Sequence, residues 1–311
     1  MGSTNASSER RVLKLLHLAT TDALWTELLA IWDDRLTPGD KKRLYAAVAH
    51  VRALFSGAIP GVKRSNTPYH DLEHTALVSL TMGRILDGAV RSGVRFPSEE
   101  LLAGLLSAIF HDTGYLQEAS EIGGNGAQHT HDHETRSVTR LVEFAGAMQL
   151  SRRAIALCRE TIAHTSARSR TGSSDIDQFL DRGDPASLLP TYLMFADIMG
   201  QMADRAYLEK ILLLFREFQQ AGIDTYENEF ELLKQTPSFY LSLVRKHRPE
   251  FDAVSDMLRA HFKARSGANV DPYQLYIERN LAYLVKRVIP YPEEYRSRLR
   301  RDGIVTSLEA V

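Results

Sequence analysis

Along most of this chain the apolar positions recur at intervals of three and four, the spacing that gathers side chains on one face of a helix. Residues 9–31 carry Val12, Leu13, Leu15, Leu16, Leu24, Leu28, Leu29 and Ile31 in that rhythm. Leu36-Thr37-Pro38-Gly39-Asp40 reads as a turn, with Asp40 as N-cap of a helix over about 41–56. Gly57-Ala58-Ile59-Pro60-Gly61 ends that helix, and Pro68 holds Thr67 extended. Further helices are expected near 71–92, 98–111, 133–148, 151–165, 187–203, 205–220, 226–235, 237–246, 249–264 and 272–288. Alternating strand patterns are scarce, so the pattern predicts an all-α domain. The longest irregular stretches, about 113–132 and 166–186, are polar and contain Gly or Ser, as active-site lids often do.

The organisation this predicts is a flexible leader over 1–8, N-terminal helices over 9–64 packing on the core, a central unit over 65–205, and a helical extension over 206–311 completing the same domain. With 311 residues, 44% of them hydrophobic, the chain can bury a core without staples. The single cysteine, Cys158, excludes an intrachain disulfide and sits in an apolar run as a small buried hydrophobe. The formal net charge of −1 gives no global field for a nucleic acid duplex or an anionic membrane. The local run Tyr295-Arg296-Ser297-Arg298-Leu299-Arg300-Arg301 reads as a solvated face. With no membrane-spanning stretch and no signal-peptide core, the expected location is cytoplasmic.

An ordered series of histidines and carboxylates changes the picture. Tyr69-His70-Asp71-Leu72-Glu73-His74 is followed by Phe110-His111-Asp112-Thr113-Gly114, then His133-Glu134, His164 and Asp197. Asp197 lies inside Leu193-Met194-Phe195-Ala196-Asp197-Ile198-Met199, and His111-Asp112 closes an apolar run. Such groups are costly at the edge of a core unless compensated, and a divalent metal accepts imidazole and carboxylate lone pairs together. His70 and His74, four apart, share a helix face. His111 and Asp112 reach one site only if they end their helix, and Thr113-Gly114 supplies that ending. The candidate ligands are His74, His111, Asp112, His133, His164 and Asp197. In the cluster His129-Thr130-His131-Asp132-His133, His129 or His131 is an alternative to His133.

Over roughly residues 65–205 these blocks resemble the HD superfamily of metal-dependent phosphohydrolases, in that family's order. The residues carrying the likeness are Tyr69-His70-Asp71-Leu72-Glu73-His74-Thr75, Ile109-Phe110-His111-Asp112-Thr113-Gly114-Tyr115, His133-Glu134-Thr135-Arg136-Ser137, Ile162-Ala163-His164-Thr165 and Ala196-Asp197. The first block is also similar to that of the cyclic nucleotide phosphodiesterases, although Asp71 stands where they carry asparagine. The resemblance implies an HD-domain helical bundle with His70 as general acid and His74 as metal ligand. It further implies one or two divalent ions from Fe, Mn, Zn or Co, with Mg admissible at a second site. His74, His111, Asp112 and Asp197 would hold the first ion, and Asp112, His133 and His164 the second. The catalytic residues on this reading are His70 and Asp112, and the activity is hydrolysis of a nucleotide or related small phosphate ester by a metal-bridging hydroxide.

Two other functions fit the same ligand set: a di-iron HD-type oxygenase, and a non-catalytic metal-stabilised nucleotide-binding protein. No organic cofactor is implied. Gly123-Gly124-Asn125-Gly126 lacks the lysine of a phosphate loop. Lys63, Arg64, Arg168 and Arg170 are basic residues close to the site in sequence. The amphipathic segments around Phe239-Tyr240-Leu241 and Tyr273-Gln274-Leu275-Tyr276 are candidates either to close the substrate pocket or to form a homodimer face.

Overall fold

A computed structural model describes residues 12–165 and 183–309. Among these the protein is all-α, with one lone antiparallel bridge between Val62 and Glu118. The 1–8 leader and Arg168 and Arg170 lie outside the described residues. The helices are α1 (Thr21–Trp32), α2 (Pro38–Ser56), α3 (Leu72–Arg91), α4 (Ser98–Phe110), α5 (His133–Ala147), α6 (Arg152–Ala163), α7 (Leu189–Met202), α8 (Tyr207–Gln220), α9 (Glu229–Lys246), α10 (Arg248–Ser266), α11 (Pro272–Tyr283) and α12 (Ile304–Glu309).

α3 is the axis of the fold. It is buried on nearly every side, and α1, α4, α7 and α10 pack around it. Its start is fixed by Asp71, whose carboxylate accepts from the His74 N–H at 2.9 Å. Gly88 lets α10 approach, since a Cβ there would lie 1.9 Å from the Met257 carbonyl oxygen. α4 and α6 pack side by side, and α5 lies across the turn that follows α4. A single hydrophobic cluster runs from Val12 through α3, α4 and α7 to Leu308. No helix among the described residues is long and apolar enough to cross a membrane.

The helix boundaries differ from the sequence expectation in three places. Residues 9–31 do not form one helix: a short helical stretch over 12–16 stops before Thr20, whose side chain accepts from Ala23 N at 3.2 Å and starts α1 afresh. Thr37, not Asp40, caps α2, because Pro38 suits the first helical position and Thr37 Oγ1 accepts from Asp40 N. The helices expected over 226–235 and 237–246 are one helix, α9, with Pro237 inside it. Proline removes one N–H and crowds the carbonyl four residues back, yet buried Leu233 and Tyr240 on either side anchor both halves.

Candidate metal centre

Four side chains from two helix ends and one helix interior meet beneath the first turn of α3. Asp71 caps α3 and thereby sets His74 on the turn that faces inward. His111 follows the last residue of α4, and Asp112 begins the tight turn Thr113–Tyr115. The adjacent pair reaches one point because the helix ends between them. Asp197 projects from the middle of α7.

His74 Nε2 lies 3.1 Å from Asp112 Oδ2 and 3.3 Å from Asp197 Oδ1, and His111 Nε2 lies 3.1 Å from Asp112 Oδ2. Ligand atoms of His74, His111 and Asp197 fall within 4.8 Å of one another, as do those of His70, His74 and Asp112. The group could hold a metal ion. His74 Nε2, His111 Nε2 and Asp112 Oδ2 are buried without a well-aligned hydrogen-bond partner. Close approach without alignment suits ligands of a common cation better than a hydrogen-bonded network, in which buried polar atoms are normally paired. The tautomer at His111 agrees, because its Nδ1 donates to the Ala108 carbonyl at 2.9 Å and leaves the Nε2 lone pair facing Asp112.

The electrostatics are strongly perturbed. Burial alone would lower the pKa of His74, but the Asp112 and Asp197 carboxylates outweigh it and raise it to about 10. Burial would raise both carboxyls. His111 and His74 instead hold Asp112 well below the usual range, and His74 keeps Asp197 low. The cluster therefore favours the ionised form of both carboxylates, Asp112 buried and Asp197 half-buried, as a cation site requires.

His133 stands beside this group. Its Nε2 is 3.7 Å from Asp112 Oδ1, and its Nδ1 donates to the Thr130 carbonyl at 2.9 Å, which again turns Nε2 towards the centre. His164 closes the C-terminus of α6 and belongs to neither of the two His/carboxylate groups. His129 is engaged elsewhere, with Nε2 3.2 Å from Glu121 Oε2. Lys63 is likewise engaged, donating to the Glu121 carbonyl.

Several contributors were not among the candidate site residues. Glu217, buried on α8, accepts from His70 Nδ1 at 2.5 Å and from the backbone N–H groups of Tyr69 and His70 at 2.6 and 3.2 Å. Burial lowers the His70 pKa, and the Glu217 carboxylate more than reverses that. Tyr115 stacks against His70 on one face and His133 on the other, with ring centroids 4.3 and 4.4 Å away. Gln201, one turn beyond Asp197, donates to Asp197 Oδ1 at 3.3 Å and accepts from the Tyr69 hydroxyl. Gly114 permits the packing of α5, since a Cβ there would sit 1.9 Å from the His133 carbonyl oxygen. Ser137 then bridges the two elements, accepting from Gly114 N at 2.8 Å and donating to the His111 carbonyl at 2.6 Å.

A family model described as Npun_R2479-like matches residues 180–257. No curated protein and no solved structure matches the chain. The matched stretch carries Asp197, Gln201 and Glu217 together. Its α7 and α8 are the helices that supply one carboxylate to the His/Asp cluster and another to His70.

Proposed function

We propose that this chain is a metal-dependent phosphohydrolase of the HD type, acting on a nucleotide or related small phosphate ester. The observation that carries the reading is the meeting of His74, His111, Asp112 and Asp197 around buried atoms that lack aligned partners, with His70 held beside them by Glu217. These residues fit a cation of mixed nitrogen and oxygen preference such as Fe, Mn, Zn or Co. Asp112 Oδ1 and His133, together with His164, are the proposed holders of a second ion, where Mg is also admissible.

A divalent ion in this setting polarises phosphoryl oxygens and lowers the pKa of water enough to provide a nucleophile near neutrality. The chain's own groups do the rest. Glu217 engages Nδ1 of His70, which leaves Nε2 as the nitrogen facing the substrate. The carboxylate favours the imidazolium, so His70 is charged with a proton to give to the leaving oxygen. The stack of His70, Tyr115 and His133 fixes the plane in which that proton is presented. Gln201 fixes the direction of the Asp197 carboxylate.

The test is metal analysis of the purified chain joined to an anaerobic panel of p-nitrophenyl phosphate, bis(p-nitrophenyl) phosphate and cyclic nucleotides. The expected result is hydrolysis that chelation abolishes, that Mn or Fe restores, and that His111→Ala eliminates. Hydrolysis unaffected by chelation, or no hydrolysis with any of these metals, overturns the proposal. Turnover that requires oxygen points to the di-iron alternative instead.

A further inference from the structure

The four side chains of the candidate centre are not held equally. His74 is set by the cap of α3, with its backbone N–H 2.9 Å from the Asp71 carboxylate. His111 is held through Nδ1, which donates to the Ala108 carbonyl at 2.9 Å. Asp112 opens the tight turn that follows α4. Asp197 has none of these supports. It sits inside α7 rather than at a capped end, and its side chain is 28% exposed, against 7% or less for the other three. Among the described residues one amide donates to its carboxylate, Nε2 of Gln201 at 3.3 Å.

That amide can point two ways. An ionised carboxylate only accepts, so the favourable orientation turns the NH₂ to Asp197 and Oε1 away from it, whereas a flipped amide sets oxygen against oxygen. Tyr69 stands at Oε1 and donates its hydroxyl there. Tyr69 is buried and Gln201 half-buried, so water is a poor substitute for that donor. Tyr69 is in turn fixed from its backbone, whose N–H is accepted by Glu217 Oε1 at 2.6 Å, and its ring lies 5.0 Å from that of His70 and 5.6 Å from that of His74. One residue thus joins the carboxylate that grips His70 to the amide that directs Asp197.

We propose that Tyr69 is a positioning residue for the metal centre: its hydroxyl locks the Gln201 amide, and the locked amide holds the Asp197 carboxylate ready for the ion. The inference rests on the reading of His74, His111, Asp112 and Asp197 as metal ligands, and it holds whichever reaction the ion serves. Without the hydroxyl, Gln201 Oε1 loses its donor and the amide is free to turn its oxygen on Asp197. The least supported ligand then no longer presents a fixed oxygen. Partners of this kind, one step behind a ligand, are typically worth about 10–100-fold in metal affinity.

The experiment is titration of the metal-free full chain with Mn²⁺, the unbound ion being followed by its EPR signal. Tyr69→Phe is expected to weaken binding by about 10–100-fold, and Gln201→Leu by a similar factor. The double variant is expected to bind no more weakly than Gln201→Leu alone, because the hydroxyl acts through the amide. Tyr192→Phe removes a buried hydroxyl that has no hydrogen-bond partner from the helix that carries Asp197, and it is expected to keep the wild-type affinity. If Tyr69→Phe does not fold, Gln201→Leu carries the test. Wild-type affinity in either single variant overturns the proposal. So do additive losses in the double variant, which would give Tyr69 a separate, purely structural effect, or a loss in Tyr192→Phe equal to that in Tyr69→Phe. A wild type that binds no Mn²⁺ fails one step earlier, at the metal centre itself, and takes the proposal with it.

Discussion

Glu217 grips His70 across 147 residues of sequence, with Oε2 2.5 Å from Nδ1. The carboxylate is buried in α8 and also accepts from two backbone N–H groups of the segment that leads into α3. One side chain thus fixes the approach of that segment and the protonation of the imidazole it carries.

Glu217→Gln separates these roles. The amide oxygen can still accept from the backbone, but its NH₂ would donate to Nδ1 and force the opposite tautomer. On the proposed mechanism kcat falls by about 10²-fold, the lower end of what a general acid contributes. Metal content, measured by elemental analysis, stays at the wild-type value. An unchanged kcat would remove His70 from the role of acid.

Gly114 is a point of close approach between the turn after α4 and the start of α5. Gly114→Ala drives a methyl against the His133 carbonyl and is expected to destabilise the chain by about 1–3 kcal/mol, as overpacking does. Urea denaturation measures it. A wild-type midpoint would mean that α5 is free to move aside.

His261 on α10 supplies a pH test away from the candidate centre. It is buried, Arg84 and Arg265 lie near it, and its Nδ1 donates to Asp87 Oδ2 at 2.7 Å. Burial outweighs the Asp87 carboxylate and lowers its pKa from 6.5 to about 4. The folded pKa is depressed, so the stabilisation of the neutral ring is complete above pH 6.5 and is lost as pH falls towards 4. The amount is about 3 kcal/mol. Urea midpoints between pH 7 and pH 4 should fall less steeply in His261→Gln than in the wild type. Equal slopes would show that His261 titrates normally in the fold.

The ends of α4, α5 and α8 were legible because each is marked locally. His111-Asp112-Thr113-Gly114 closes α4, Asp132-His133 opens α5, and the rhythm of Leu208, Ile211, Leu212 and Phe215 defines α8. The sequence also placed His74, His111, Asp112 and Asp197 in one set, and the fold brings these four together. Glu217 was not legible. Nothing local marks Glu217 as a buried acid, and only the tertiary packing of α8 against residues 67–70 buries it. Tyr115 likewise gains its meaning from two histidines that lie 45 residues before it and 18 after it in the chain. Pro237 misled in the other direction, since local chemistry argued for a break where packing on both sides sustains the helix.

The most direct test of the central claim is an anomalous difference map from crystals of the Mn-loaded chain. The account predicts a peak among His74 Nε2, His111 Nε2, Asp112 Oδ2 and Asp197 Oδ1, at ligand distances of about 2.0–2.3 Å. A map with no peak inside that quartet, while the same side chains remain in place, would contradict it.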